Sequence, residues 1–203
     1  MNDSDRNVQK HVLYIPGTSG LKDMSRIEYL GKKAQDAGYG FSFLQTWTDD
    51  SDLQSKTLNH ILESIDSTIS KLAKSGEVYV VAKSFGGGVM LLRSWPQISK
   101  MVLWAPAVAL SDKSSYDAIK DTELKNLSSM FEITTDSATL SQINTPTLVI
   151  RGTQDTAVPL SPLQSIIEHL PHGTLKEIEG MGHSPKTEEE LESLVTDTIQ
   201  FLK

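Results

Sequence analysis

Three residue types in this 203-residue chain carry acyl-transfer chemistry at positions where such chemistry needs them. Ser84 stands in Ala82-Lys83-Ser84-Phe85-Gly86, between an apolar β-branched run and an apolar helical stretch. A serine on a sharp strand-to-helix turn needs small neighbours two residues away, because strand and helix must approach closely there. The helix start then aims backbone N–H groups at the reacting centre. Asp155 lies in Gly152-Thr153-Gln154-Asp155-Thr156-Ala157-Val158-Pro159, just beyond another apolar run. His183 lies in Gly180-Met181-Gly182-His183, just beyond a third. Each residue alone has a plainer reading: Ser84 as a helix N-cap, Asp155 as a turn former, His183 as a surface histidine.

The elements around them give the three positions a common location. Apolar runs at 11–15, 41–44, 78–82, 101–104, 147–150 and 175–178 read as strands. Helical spacing at 23–37, 54–74, 89–95, 160–170 and 187–202 separates them. Strands that are apolar throughout, alternating with helices, predict a parallel sheet covered on both faces. The fold class is therefore α/β: a three-layer αβα sandwich on a mainly parallel six-stranded sheet. Ligands in such sheets bind beyond the carboxyl ends of the strands. Ser84, Asp155 and His183 follow the third, fifth and sixth strands, so all three fall at that edge.

The order Ser, Asp, His along the chain, each after a different parallel strand, resembles the α/β-hydrolase family. The resemblance runs from His11 to the last helix. It implies Ser84 as nucleophile, His183 as base and Asp155 as the acid that orients the imidazole. It also implies an oxyanion site made of two backbone N–H groups. One is that of Phe85. The other belongs to the Pro16-Gly17-Thr18-Ser19 loop, with Thr18 the chosen donor and Ser19 the alternative. Two departures from the family pattern stand out. Ala82 replaces the usual glycine two residues before the nucleophile, and Pro16-Gly17 replaces His-Gly after the first core strand. The chain starts close to what resembles the third family strand, so a trimmed N-terminus is expected.

The resemblance implies a serine hydrolase that cleaves a small or medium carboxylic ester through an acyl-serine. A thioesterase or small-peptide hydrolase shares the same triad, and a non-catalytic binding protein shares the same fold. Residues 109–145 are long for a connection. They are expected to form a small lid of one or two helices within a single domain, with Leu127, Met130 and Phe131 as a candidate acyl pocket. Packing of those side chains onto the sheet is an equal reading. Lys83 reads as an outward side chain tied to a carboxylate.

Composition narrows the field further. The chain lacks cysteine, which excludes a thiol nucleophile, a disulfide framework and a cysteine-ligated zinc site. With 19 basic and 26 acidic residues and a net charge of −7, nucleic acid is not an expected partner. The excess acid concentrates near Glu188, Glu189, Glu190 and Glu192, where it fits the first turn of a terminal helix. Neither a signal peptide nor an apolar run of membrane-spanning length is evident, so a cytoplasmic location is expected and residues 1–9 read as frayed. The expected partner is a small-molecule ester or related acyl compound. No metal or cofactor is expected, and Glu168, His169 and His172 read as a solvated helix end.

Overall fold

The computed structural model describes residues 9–22 and 24–203, apart from the side chain of Met130. The expected frayed segment therefore lies almost wholly outside the described residues.

Six strands pair in parallel throughout: β1 (Gln9–Ile15), β2 (Gly40–Phe43), β3 (Gly76–Lys83), β4 (Ile98–Trp104), β7 (Thr147–Gly152) and β8 (Gly173–Ile178). Two more, β5 (Ala109–Leu110) and β6 (Thr134–Thr135), form a separate short pair. Across the main sheet the order is β2-β1-β3-β4-β7-β8. From β1 the chain moves outward to β2. From β3 it moves the other way, toward β8. The reversal leaves a crevice between the ends of β1 and β3, where open α/β sheets bind ligands.

Alternation along each strand builds two cores. Leu13, Val80, Leu103 and Val149 face one side, against α3 (Leu58–Ala73), α4 (Ser84–Met90) and α7 (Leu160–His169). Val12, Val81, Val102 and Ile150 face the other, against α1 (Met24–Asp36) and α8 (Glu188–Leu202). Full burial of each such side chain is worth about 1.5–3 kcal/mol, so a sheet covered on both faces holds without staples. The acidic run opens α8 as its composition suggests: Thr187 caps the helix, and the Glu190 side chain reaches back to the Thr187 N–H.

Several helix bounds differ from the sequence reading, each for a local reason. The helix expected over 54–74 is α3, which starts only at Leu58 because Thr57 caps it by accepting from the His60 N–H; a separate short helix, α2 (Asp50–Gln54), precedes it. The helix expected over 89–95 is α4, which begins at Ser84 and ends at Met90. Its glycines disguise it, since glycine is a poor helix former. They are there for space: a Cβ on Gly86 would sit 2.4 Å from the Pro16 carbonyl oxygen.

The 109–145 segment holds two α-helices, α5 (Tyr116–Ile119) and α6 (Ser137–Ser141), both short, with two single 3-10 turns and the β5–β6 pair. Its Ser, Thr and Asp side chains bond locally to backbone and compete with longer helices. Asp136, for example, accepts from the Thr139 and Ser114 N–H groups. The segment is fastened rather than loose. Asn59 N–H donates to the Lys120 carbonyl, Leu124 N–H to the Lys56 carbonyl, and the buried Thr135 hydroxyl to the Leu91 carbonyl.

Candidate active site

Ser84 occupies the first position of α4 with φ of 48°. That left-handed conformation costs a non-glycine residue about 1–3 kcal/mol and persists only where surroundings enforce it. Here the Ser84 carbonyl accepts from the Ala107 N–H at 2.9 Å, while Phe85 and Val89 lock the following turn into the core. The strained turn lifts Oγ out of the sheet edge. Beyond Ser84, the first N–H groups of α4 have no carbonyl within the helix to bond.

Asp155 lies beyond β7 with 3% of its surface exposed. Its Oδ1 accepts from the N–H groups of Ala157 (2.8 Å) and Val158 (2.9 Å). Two donors on one oxygen fix the carboxylate plane and leave Oδ2 for a second partner. That partner is His183, whose Nδ1 lies 2.8 Å from Oδ2. On the far side of the ring, Nε2 lies 3.0 Å from Ser84 Oγ. With Nδ1 donating to the carboxylate, Nε2 carries the lone pair that accepts the serine hydroxyl. The structure thus brings together three side chains that the sequence separates widely.

The acid loop and the histidine loop are knitted to each other. Gln154 N–H donates to the Met181 carbonyl at 2.9 Å, and Gly180 N–H donates to the Thr153 hydroxyl at 2.9 Å. Gly152 makes this approach possible, since a Cβ there would lie 2.0 Å from the Met181 carbonyl oxygen.

Arg151, which sequence reasoning passed over, organises the same loop from beneath. The residue is 6% exposed. Its guanidinium donates to the Val158 carbonyl (3.0 Å), the Asp155 carbonyl (2.9 Å) and the Glu177 carboxylate (2.7 Å). Its only sequence signal is an arginine at the end of an apolar strand, where a buried charge needs partners.

Lys83 departs from its expected outward placement. It alternates onto the α1–α8 face, is half-buried, and its ammonium donates to Ser184 Oγ at 2.6 Å. Lys83, Arg26 and His183 line one small cavity with Tyr14, Trp104 and Pro185.

Thr18 lies in a turn after β1, closed by Gly20 N–H donating to the Gly17 carbonyl at 3.0 Å. A Cβ on Gly17 would be 3.2 Å from Ser84 Cβ, so this loop passes directly against the serine. Leu127 is half-buried and packs on the core, whereas Phe131 is 36% exposed. Neither is among the walls of the cavity beside His183. The Met130 side chain lies outside the described residues. His169 Nδ1 bonds the Ser165 carbonyl within its own helix. Among the described residues no group of three or more His, Asp or Glu is placed to hold a metal ion. No described helix is long and apolar enough to cross a membrane.

No protein-family model matches the chain, and no curated protein matches it. Solved structures do. A predicted CIB-like hydrolase from Thermoplasma acidophilum shares 20% identity, with 100% of this chain and 88% of that chain covered and a TM-score of 0.68. Est1E from Butyrivibrio proteoclasticus shares 16%, covering 100% and 90%, with a TM-score of 0.72. A structure from work on the metagenome-derived lipolytic enzymes LipS and LipT shares 15%, covering 96% and 94%, with a TM-score of 0.73. At these identities the likeness shows the fold: the chain has the α/β-hydrolase fold, with a mainly parallel six-stranded sheet flanked by helices.

Proposed function

We propose that the protein is a serine hydrolase that cleaves a small or medium carboxylic ester through an acyl-serine intermediate. The observation that carries the reading is the continuous path from Ser84 Oγ to His183 Nε2 (3.0 Å) and from His183 Nδ1 to Asp155 Oδ2 (2.8 Å). A serine hydroxyl is a weak nucleophile at neutral pH and needs such a base beside it.

In the proposed reaction Ser84 Oγ attacks the substrate carbonyl carbon while its proton passes to His183 Nε2. The carbonyl π pair moves onto oxygen and gives a tetrahedral oxyanion, which accepts from the Phe85 and Thr18 N–H groups. Asp155 stabilises the transient imidazolium and holds its tautomer, remaining ionised. Collapse of the intermediate expels the alkoxide, which takes the proton from His183. Water then attacks the acyl-Ser84 ester with His183 again as base. Breakage of the bond to Oγ releases the carboxylic acid and restores the serine. Preorganised N–H donors count here because each acts on charge that develops in the transition state.

An ester is favoured as substrate because the solved neighbours include a structure from work on lipolytic enzymes. Thioesters and small amides would pass through the same steps with a different leaving group. The acyl group is assigned to the side of the 109–145 segment, where Leu127 and Phe131 supply apolar surface and Met130 is the third proposed pocket residue. Phe131 is exposed, whereas Leu127 is half-buried.

The test is fluorophosphonate labelling of the wild type and of Ser84→Ala, followed by turnover of a chain-length series of p-nitrophenyl esters, acyl-CoA thioesters and aminoacyl amides. Labelling of the wild type, its loss in the variant, and ester turnover that shifts to shorter chains in Phe131→Ala are expected. Labelling that persists in Ser84→Ala would remove Ser84 as nucleophile. Labelling without turnover of any substrate would favour a binding role.

A further inference from the structure

One buried tryptophan outside the triad hydrogen-bonds the loop that passes beside Ser84. Trp47 follows β2 and is completely buried. Its indole N–H donates to the Gly17 carbonyl oxygen at 2.9 Å, across 30 positions of sequence. The same oxygen accepts from Gly20 N–H at 3.0 Å, so both of its lone pairs are engaged. In a planar trans peptide, the C=O and the following N–H point in opposite directions. Holding the Gly17 carbonyl toward the indole therefore turns the Thr18 N–H away from it. The ring of Trp47 also meets the ring of Phe85 edge-on, with centroids 5.7 Å apart. One side chain thus touches Phe85 and the carbonyl of the Gly17–Thr18 peptide, whose N–H is the other one assigned to the oxyanion. The adjoining residue strengthens the arrangement, since the Thr48 carbonyl accepts from the Leu21 N–H at 3.0 Å.

We infer that Trp47 is a positioning residue of the oxyanion site, whose indole N–H fixes the Gly17–Thr18 peptide so that the Thr18 N–H faces the carbonyl oxygen attacked at Ser84. The inference rests on the serine-hydrolase reading and adds a residue that never touches substrate. Its chemistry is that of the transition state. A carbonyl oxygen in the bound substrate gains little from a rigid donor, whereas the oxyanion gains much. Free rotation of this peptide would present an oxygen lone pair in place of the donor, and that would repel the oxyanion.

Trp47→Phe keeps an aromatic ring and deletes the N–H. Replacement of Trp47 by β-(3-benzothienyl)alanine through codon suppression deletes only the N–H and guards against loss of folding in the first variant. Three quantities are measured for each protein: fluorophosphonate labelling rate at Ser84, kcat and KM on a p-nitrophenyl ester, and the amide resonance of Thr18 in 1H–15N NMR spectra. Removal of one oxyanion donor outright typically costs about 100–1,000-fold in kcat, so its misorientation is expected to cost about tenfold. The expected result is that loss in kcat and labelling rate, a KM within about twofold of wild type, and a displaced or broadened Thr18 resonance. Unchanged kcat in the benzothienyl protein, a loss confined to KM, or an unmoved Thr18 resonance would each overturn the inference. A wild type that fails to label would instead overturn the hydrolase reading. The Thr18 resonance would still decide whether the indole holds that peptide.

Discussion

Lys83 precedes the candidate nucleophile and Ser184 follows the candidate base, and the Lys83 ammonium donates to the Ser184 hydroxyl at 2.6 Å. The two residues lie 101 positions apart in the chain. The link ties the turn after β3 to the loop after β8, one of several contacts that hold the histidine loop beside Ser84. A charge-assisted hydrogen bond of this kind is worth about 1.5–3 kcal/mol, enough to hold a glycine-flanked loop in one place.

Lys83→Met and Ser184→Ala should therefore each slow fluorophosphonate labelling of Ser84, by about tenfold if most of that bond is lost. The double variant should be no slower than the slower single variant, because both changes remove the same contact. Labelling rates of the four proteins close the cycle. Fully additive losses would show that the two residues act separately and would sink the coupling.

The buried Arg151 makes a second prediction possible. Its three hydrogen bonds reach both ends of the acid loop, at Asp155 and Val158, and anchor it to Glu177. Lysine offers a single charged point and cannot reproduce the fork. Arg151→Lys should lower stability in urea unfolding by about 3 kcal/mol, the scale of a broken buried charge network. It should also lower kcat per labelled site, since Asp155 would no longer be held against His183 Nδ1. A variant as active per labelled site as the wild type would reduce Arg151 to a purely stabilising role.

The contrast between these residues and the triad shows what the sequence can reveal. The strand ends beside Ser84, Asp155 and His183 are legible because apolar runs such as Val78–Ala82 and Thr147–Ile150 announce themselves by composition. Topology then carries the residues after them to one edge. Trp47 and Arg151 give no comparable signal. Their roles are defined by carbonyl oxygens of Gly17, Asp155 and Val158, and a carbonyl is common to every residue type. The helix at Ser84 was obscured for a related reason. Glycine at 86 and 88 reads as a break, and only the distant Pro16 and Ala107 carbonyls show why no Cβ fits there. Lys83 lies inward rather than outward because β3 extends through it and strand alternation turns it toward the α1–α8 face.

His11 makes folding stability depend on pH in a direction fixed by its surroundings. It lies on β1, with Nε2 3.0 Å from Ser42 Oγ and Nδ1 against the backbone of Gly40. Burial disfavours the imidazolium and lowers its pKa below the usual 6.5. On acidification the unfolded chain takes up this proton at the usual pKa, while the folded chain resists until lower pH. Protons therefore favour the unfolded state within that window. The His11 contribution is fully present above the usual pKa, declines as pH falls through the window, and levels off below the depressed value. Melting temperatures of the wild type and of His11→Asn, measured at intervals from about pH 8 down to about pH 5, test this. The wild-type temperature should fall more steeply than that of the variant below about pH 6.5, and the two curves should run parallel above it. Parallel curves over the whole range would show that His11 titrates alike in both states.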